Sequence, residues 1–141
     1  MCGIFALLNN KTTFNNKSIE NSFNKLNARG PENSKFEIHA NKLVLGFKRL
    51  AINGLTDESN QPITIDGVKL ICNGEIYNYK ILFRQLYESN KIKPQTGSDC
   101  EVIIYLYKLY GIEQTLRLLD GVFSFVLYDY SDVNYDPKIF V

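Results

Sequence analysis

The sequence predicts an α+β fold built mainly from antiparallel sheets, because its predicted strands outnumber its helices and follow one another in runs. The predicted strands are short apolar or alternating segments, at residues 3–8, 36–39, 42–49, 68–72, 122–128 and 138–141. The second and third of these are close enough in sequence to form a hairpin. This order does not fit a βαβ arrangement, in which single strands and helices alternate.

Periodicity and end signals predict the helices. Apolar residues at helical spacing predict a helix over residues 18–27. Asn78 is expected to cap a second helix. Ser98 followed by Glu101 matches a capping box, which predicts a third helix that ends before Gly111, with a shorter helix after it.

Length and composition indicate one ordinary globular domain. The chain has 141 residues, of which 45% are hydrophobic and 22% are charged. A formal net charge of +1 with scattered basic residues predicts no binding to nucleic acid or to an anionic membrane. No apolar run approaches the length that spans a bilayer, and the first residues lack the pattern of a signal peptide.

Three cysteines at wide spacing, with no CxxC pair, argue against a disulfide framework and against a metal site. They are Cys2, Cys72 and Cys100. A cytoplasmic location, where thiols stay reduced, is therefore expected. Cys72 and Cys100 are interpreted as core residues.

Cys2 has the most distinctive chemistry, because removal of Met1 would place its thiol a few bonds from a free α-amine. That amine has an ordinary pKa of about 7.7–8.0, so it can act as the general base that activates the thiol. Position alone favours an uninvolved thiol, but an apolar strand that begins directly after it argues against a mobile terminus. We therefore predict that Cys2 is a nucleophile.

Asn73 and Gly74 follow the strand predicted at residues 68–72. An asparagine amide and a glycine N–H can donate two hydrogen bonds to a developing oxyanion, and glycine lets a ligand approach the backbone closely. The alternative interpretation is an ordinary Asn-Gly turn, which is favoured for the dipeptide in isolation.

Two other residues suit the charged ends of a free amino acid. Arg49 ends an apolar strand and could bind a carboxylate, although a surface arginine is the default interpretation. Asp99 could bind an ammonium group, and it could equally stabilise the start of a helix; the two roles are compatible. A dyad of Cys2 with His39, the only histidine, is less favoured than a strand position for His39.

Five motifs resemble the class II glutamine amidotransferase domain, and they occur in the order of that family. They are Met1-Cys2-Gly3-Ile4, Arg29-Gly30-Pro31, Arg49-Leu50-Ala51-Ile52, Asn73-Gly74-Glu75-Ile76-Tyr77-Asn78 and Ser98-Asp99. Residues 111–115 and 119–125 resemble the glutaminase domain of asparagine synthetase in particular. Sister families typically carry Trp after the arginine and His before the asparagine, where this sequence has Leu50 and Cys72.

The resemblance covers essentially the whole chain and implies an N-terminal-nucleophile hydrolase sandwich, with two antiparallel sheets stacked between helices. It implies that Cys2 attacks the side-chain amide of glutamine. A thioester forms, ammonia leaves, and water then releases glutamate.

The same resemblance assigns roles to residues at the matching positions. Asn73 and Gly74 would form the oxyanion hole, and Arg49 would bind the glutamine carboxylate. Asp99 and Glu75 would meet its ammonium group. One segment would line the pocket, namely Leu50, Ala51, Ile52 and Asn53.

The sequence also departs from the family pattern. Glu32 replaces the usual Asp after Arg-Gly-Pro, and Asn53-Gly54 replaces an apolar-acidic pair. The family continues with more strands and a synthetase domain that has an ATP-binding Ser-Gly-Gly-x-Asp loop, which this sequence lacks. Residues 1–141 are thus expected to be a glutaminase domain that is incomplete at its C-terminal end. It should need no cofactor, with ATP and magnesium expected only in the missing synthetase part.

The expected partners are glutamine and a synthetase domain or subunit that receives ammonia to amidate aspartate, with a homodimer left open. Three interpretations of function compete. The first is an active glutaminase, the second is a catalytically inactive fragment or interaction module, and the third is a glutamine-binding sensor without turnover.

Overall fold

The computed structural model describes residues 2–11, 13–39, 43–52 and 54–141. These residues form seven strands in two antiparallel sheets, together with three α-helices. The strands are β1 (Gly3–Leu7), β2 (Asn33–His39), β3 (Leu43–Arg49), β4 (Ile63–Ile65), β5 (Val68–Ile76), β6 (Gly121–Asp129) and β7 (Lys138–Phe140). The helices are α1 (Asn16–Asn24), α2 (Tyr79–Asn90) and α3 (Val102–Leu118).

The two sheets stack face to face between the helices, which confirms the predicted fold class. The first sheet has the strand order β1-β3-β2 and the second has the order β4-β5-β6-β7. Helix α1 covers the outer face of the first sheet, while α2 and α3 cover the outer face of the second. Within the described ranges, no helix is both long enough and apolar enough to cross a membrane.

The space between the sheets is filled by alternate residues of each strand. Leu43, Leu45 and Phe47 of β3 pack against Ile71 of β5 and Val126 of β6. All five are at most 4% exposed. Because side chains alternate along a strand, the residues between them face the opposite side of the sheet.

On that opposite side, α1 docks through Phe23, which is 2% exposed. Its ring centroid lies 6.0 Å from that of Phe5 and 5.2 Å from that of Phe36. Lys48 Nζ lies 4.2 Å from the centroid of the Phe23 ring. Gly46 of β3 leaves room for this ring, since an added Cβ would lie 2.7 Å from its edge.

Strand β5 is longer than the sequence predicts, and the interpretation of Asn73-Gly74 as a turn is wrong. The strand continues to Ile76 because β6 pairs with its whole length, from Val68 opposite Asp129 to Ile76 opposite Gly121. This pairing joins residues far apart in sequence. It therefore overrides the local turn preference of an Asn-Gly dipeptide.

Two predicted caps make no side-chain cap hydrogen bond. Asn78 stands at the N-cap of α2, as predicted, but its Nδ2 donates to Leu118 O at 2.9 Å. Ser98 makes no side-chain cap bond either, and Glu101 accepts from the N–H of Gln95 and Thr96 instead. A 3₁₀ turn, Asp99–Glu101, consequently precedes α3.

The predicted interruption of the third helix is confirmed at Gly111. Its φ of 76° and ψ of 172° break the helical path, and the chain then resumes a helix as far as Leu118. A positive φ of this size favours glycine, which has no Cβ to clash with the backbone.

We expect Phe23→Ala to lower the free energy of unfolding by ~3–5 kcal/mol, because it opens a cavity under α1. Phe14→Ala is the matched control, since Phe14 is 52% exposed. It should change the unfolding free energy by less than ~0.5 kcal/mol. Urea unfolding of both variants measures the difference, and equal losses would contradict the docking of α1 through Phe23.

Candidate active site

At one end of the space between the sheets, the inward-facing positions next to β1, at the end of β3 and in β5 carry a reactive or polar residue in place of an apolar one. Cys2 faces the same way as Ile4 and packs with it against the inter-sheet core. Arg49 continues the inward-facing row of β3, and Asn73 continues that of Ile71 on β5. Cys2, Arg49 and Asn73 thus line one cavity of about 260 Å³.

Cys2 is held by both its thiol and its backbone. The thiol donates to Leu50 O and its sulfur accepts from Leu50 N–H, each at 3.4 Å. Arg29 Nε and Nη2 donate to the Cys2 carbonyl at 3.3 Å and 3.2 Å. The residue is half-buried, so its sulfur lies at the cavity wall while remaining accessible from the cavity.

The backbone of β5 presents one free N–H group to the cavity. Cys72 N–H donates to Gln61 Oε1, and Ile76 N–H donates to Asp99 Oδ2 at 2.7 Å. Both groups therefore point away from β6, and by the alternation of an antiparallel ladder Gly74 N–H points the same way. None of the hydrogen bonds among the described residues uses the Gly74 N–H.

Asn73 adds a second donor beside this N–H. Its Oδ1 is buried and has no partner in the described part of the chain. Its Nδ2 group can donate hydrogen bonds to a molecule in the cavity that Asn73 lines. Asn73 and Gly74 can thus supply two donors to the same cavity as the Cys2 thiol.

Glycine is required at position 74 by the close approach of β6. A Cβ at Gly74 would lie 2.3 Å from Val122 O and 2.5 Å from Phe123 Cα. Any side chain would push the two strands apart and move the free N–H.

Arg49 is 6% exposed and anchors the loop that follows β3. Its Nη1 donates to Thr56 O at 3.0 Å and to Asn60 Oδ1 at 2.6 Å, and its Nη2 donates to Gly54 O. These bonds use three of the five guanidinium donors. The remaining two suit a carboxylate in the cavity that Arg49 lines.

Asp99 borders the same cavity and is 4% exposed. Its Oδ2 accepts from Ile76 N–H, and the Cys100 thiol lies 3.9 Å from the same oxygen. The hydrogen bond of Cys100 to Cys72, together with burial, raises the pKa of the Cys100 thiol. Both of these cysteines are buried core residues, as predicted.

The segment after Arg49 lines the cavity only in part. Leu50 and Ile52 border it, and Ile52 is 66% exposed. Ala51 is not part of the lining, and its N–H donates to Glu32 Oε2 at 2.9 Å. Asn53 lies outside the described residues.

Glu75 is exposed and borders the cavity. The sequence did not single out several other residues that the structure places in the lining. They include Gln61, Ser59, Tyr77 and Val122. Gln61 matters most, because its Oε1 accepts a hydrogen bond from the Cys72 N–H. No local sequence pattern predicts such a contact for a glutamine.

His39 does not form a dyad with Cys2. It pairs with Leu43, whereas Asn33 at the other end of the same seven-residue strand pairs with Arg49. At about 3.3 Å per residue, these ends are ~20 Å apart. His39 Nε2 lies 3.2 Å from Glu37 Oε2, and burial together with Lys69 lowers the pKa of His39.

In the described part of the chain, no group of three or more His, Cys, Asp or Glu side chains could hold a metal ion. The carboxylates that line the cavity are those of Asp99 and Glu75.

Curated relatives share most of this chain. A probable glutamine-hydrolyzing asparagine synthetase of Schizosaccharomyces pombe is 42% identical over 134 residues, which is 92% of this chain and 23% of the relative. Glutamine-hydrolyzing asparagine synthetase 2 of Arabidopsis thaliana is 40% identical, over 96% of this chain and 23% of the relative. The chain thus spans 23% of the length of these relatives.

A solved structure has a related fold. It is the glutamine phosphoribosylpyrophosphate amidotransferase of B. subtilis complexed with ADP and GMP, which is 30% identical with a TM-score of 0.53. The similarity covers 62% of this chain and 21% of that one. The glutamine amidotransferase domain family matches residues 1–135. With this match over nearly its whole length, the chain belongs to the glutamine amidotransferase domain family.

Proposed function

We propose that this domain hydrolyses the side-chain amide of glutamine to glutamate and ammonia, with Cys2 as the nucleophile. The observation that carries the proposal is the convergence of Cys2, Asn73 and Gly74 on a cavity that also contains Arg49 and Asp99. These groups match the parts of one substrate: an amide, a carboxylate and an ammonium group.

Substrate binding uses the two charged residues. The two free donors of Arg49 bind the α-carboxylate, and Asp99 accepts from the α-ammonium. Asp99 is held by Ile76 N–H at 2.7 Å, so its carboxylate does not have to reorganise when glutamine enters. The side-chain amide then extends toward Cys2.

Activation of Cys2 depends on the loss of Met1. The freed α-amine takes the proton of the thiol, since its pKa lies near working pH. Leu50 N–H, 3.4 Å from the sulfur, stabilises the thiolate. The bond from Arg29 to the Cys2 carbonyl keeps the residue in place.

In the next step the thiolate attacks the amide carbon, and the carbonyl oxygen becomes an oxyanion. Asn73 Nδ2 and Gly74 N–H donate to it. The protonated α-amine then gives its proton to the leaving nitrogen, and ammonia departs as the thioester forms. Water, deprotonated by the same amine, hydrolyses the thioester through a second oxyanion and releases glutamate.

We further propose that the ammonia serves a synthetase portion, because the relatives named above are asparagine synthetases. ATP and magnesium would act in that portion, and the glutaminase domain would need no cofactor. The cytoplasmic location and a homodimer remain predictions from sequence.

We expect Cys2→Ala to abolish glutamate release from glutamine. The other two described thiols that line the cavity, Cys72 and Cys100, are buried in the core and cannot replace it. Coupled detection of glutamate measures the rate, and intact mass reports whether Met1 has been removed. Equal rates for Cys2→Ala and the unmodified chain would exclude the mechanism. Glutamine binding without turnover would instead support the sensor.

We expect Asn73→Ala to lower kcat by ~10²–10³-fold with little change in KM, because its amide donates only to the developing oxyanion. Steady-state kinetics with glutamine separate the two parameters. A rise in KM at unchanged kcat would place Asn73 in substrate binding and contradict the oxyanion assignment.

A further inference from the structure

Glu101 is a buried carboxylate that does not line the cavity. It is 0% exposed and accepts three hydrogen bonds of 2.6 Å, from Gln95 N–H, Thr96 N–H and Thr96 Oγ1. Among the described residues, no Lys, Arg or His forms a salt bridge with it. Burying a carboxylate is costly unless it is fully hydrogen-bonded, so this group organises the loop that satisfies it.

One branch of this loop leads to Asp99. Thr96 Oγ1, which donates to Glu101, also accepts from Ser98 N–H at 3.0 Å. Ser98 immediately precedes Asp99, whose carboxylate is held on its other side by Ile76 N–H. The Thr96 hydroxyl therefore connects the buried carboxylate to the residue that borders the cavity.

The other branch leads to Arg49. Gly97 N–H donates to Ser59 Oγ at 3.1 Å. Gly97 also touches Gly54, where an added Cβ would lie 2.7 Å from Gly97 C. Gly54 and its loop supply the three acceptors that hold the Arg49 guanidinium.

We propose that Glu101 is a positioning residue that sets the spacing between Asp99 and Arg49 through the loop of residues 95–98. The ammonium and carboxylate of a free α-amino acid are attached to one carbon, so their separation is nearly fixed. A site that recognises both must hold its anion and its cation at a matching distance. This inference rests on the proposed binding of glutamine and identifies what fixes its selectivity for an α-amino acid.

The test measures ligand affinity in a Cys2→Ala background, so that turnover plays no part. Calorimetric titration gives the Kd of glutamine and of 4-carbamoylbutyrate, which is glutamine without its α-amino group. Thr96→Val removes the hydroxyl that links Glu101 to Ser98 but keeps the shape of the side chain. Thr96→Ser retains the hydroxyl and serves as the rescue.

We expect Thr96→Val to weaken glutamine binding on the order of tenfold, while the Kd of 4-carbamoylbutyrate changes by less than about twofold. Thr96→Ser should restore the preference for glutamine. Thr115→Val is the matched control, because Thr115 is 0% exposed and its hydroxyl donates to Gly111 O at 2.8 Å. It should lower the melting temperature without altering the ratio of the two Kd values.

Equal weakening of both ligands by Thr96→Val, or no change in either, would overturn the positioning role. Failure of the background protein to bind glutamine would overturn it as well. A further outcome separates the two proposals. If the Cys2→Ala protein prefers glutamine to 4-carbamoylbutyrate but the chain with Cys2 releases no glutamate, the positioning role stands and only the proposed hydrolysis is contradicted.

Discussion

The free edge of β5 is the constraint on which the site depends. Strand β4 pairs only with residues 68–70, so the N–H groups farther along this edge have no strand partner. A buried N–H must find an acceptor, and the side chains of Gln61 and Asp99 satisfy those of Cys72 and Ile76. Gly74 lies between them, and its N–H has no partner among the described residues. The edge is thus pre-organised to receive a negative oxygen, which is what acyl transfer from an amide requires.

The side chains that we propose to bind glutamine also stabilise the fold. Asp99 accepts from the β5 backbone while it borders the cavity, and Arg49 holds the loop after β3 with three of its donors. The proposed recognition would therefore use two side chains that protein hydrogen bonds already hold in place. The loops that carry the two charged residues touch each other at Gly54 and Gly97. We therefore expect a change in one loop to move the other.

Alternating apolar residues were enough to predict most strands. The position of Cys2 with the quoted motifs predicted residues that the structure brings to one cavity. The errors arose where partners distant in sequence decide the structure. Asn73-Gly74 reads locally as a turn, but pairing with β6 extends the strand through it. The spacing of Ser98 and Glu101 matches a capping box, yet the carboxylate is bound by an earlier part of the loop. The role of Gln61 could not be predicted from the sequence, because it depends on a contact with the Cys72 backbone that exists only in the folded chain.

The most direct test of the proposed mechanism is a crystal structure of the Cys2→Ala chain with glutamine bound. The mechanism predicts that the side-chain carbonyl oxygen lies ~2.7–3.1 Å from both Gly74 N and Asn73 Nδ2. It also predicts that the α-carboxylate lies on Arg49 and the α-ammonium on Asp99. Glutamine bound with its amide away from the β5 edge, or a Gly74 N–H paired within the protein, would contradict it.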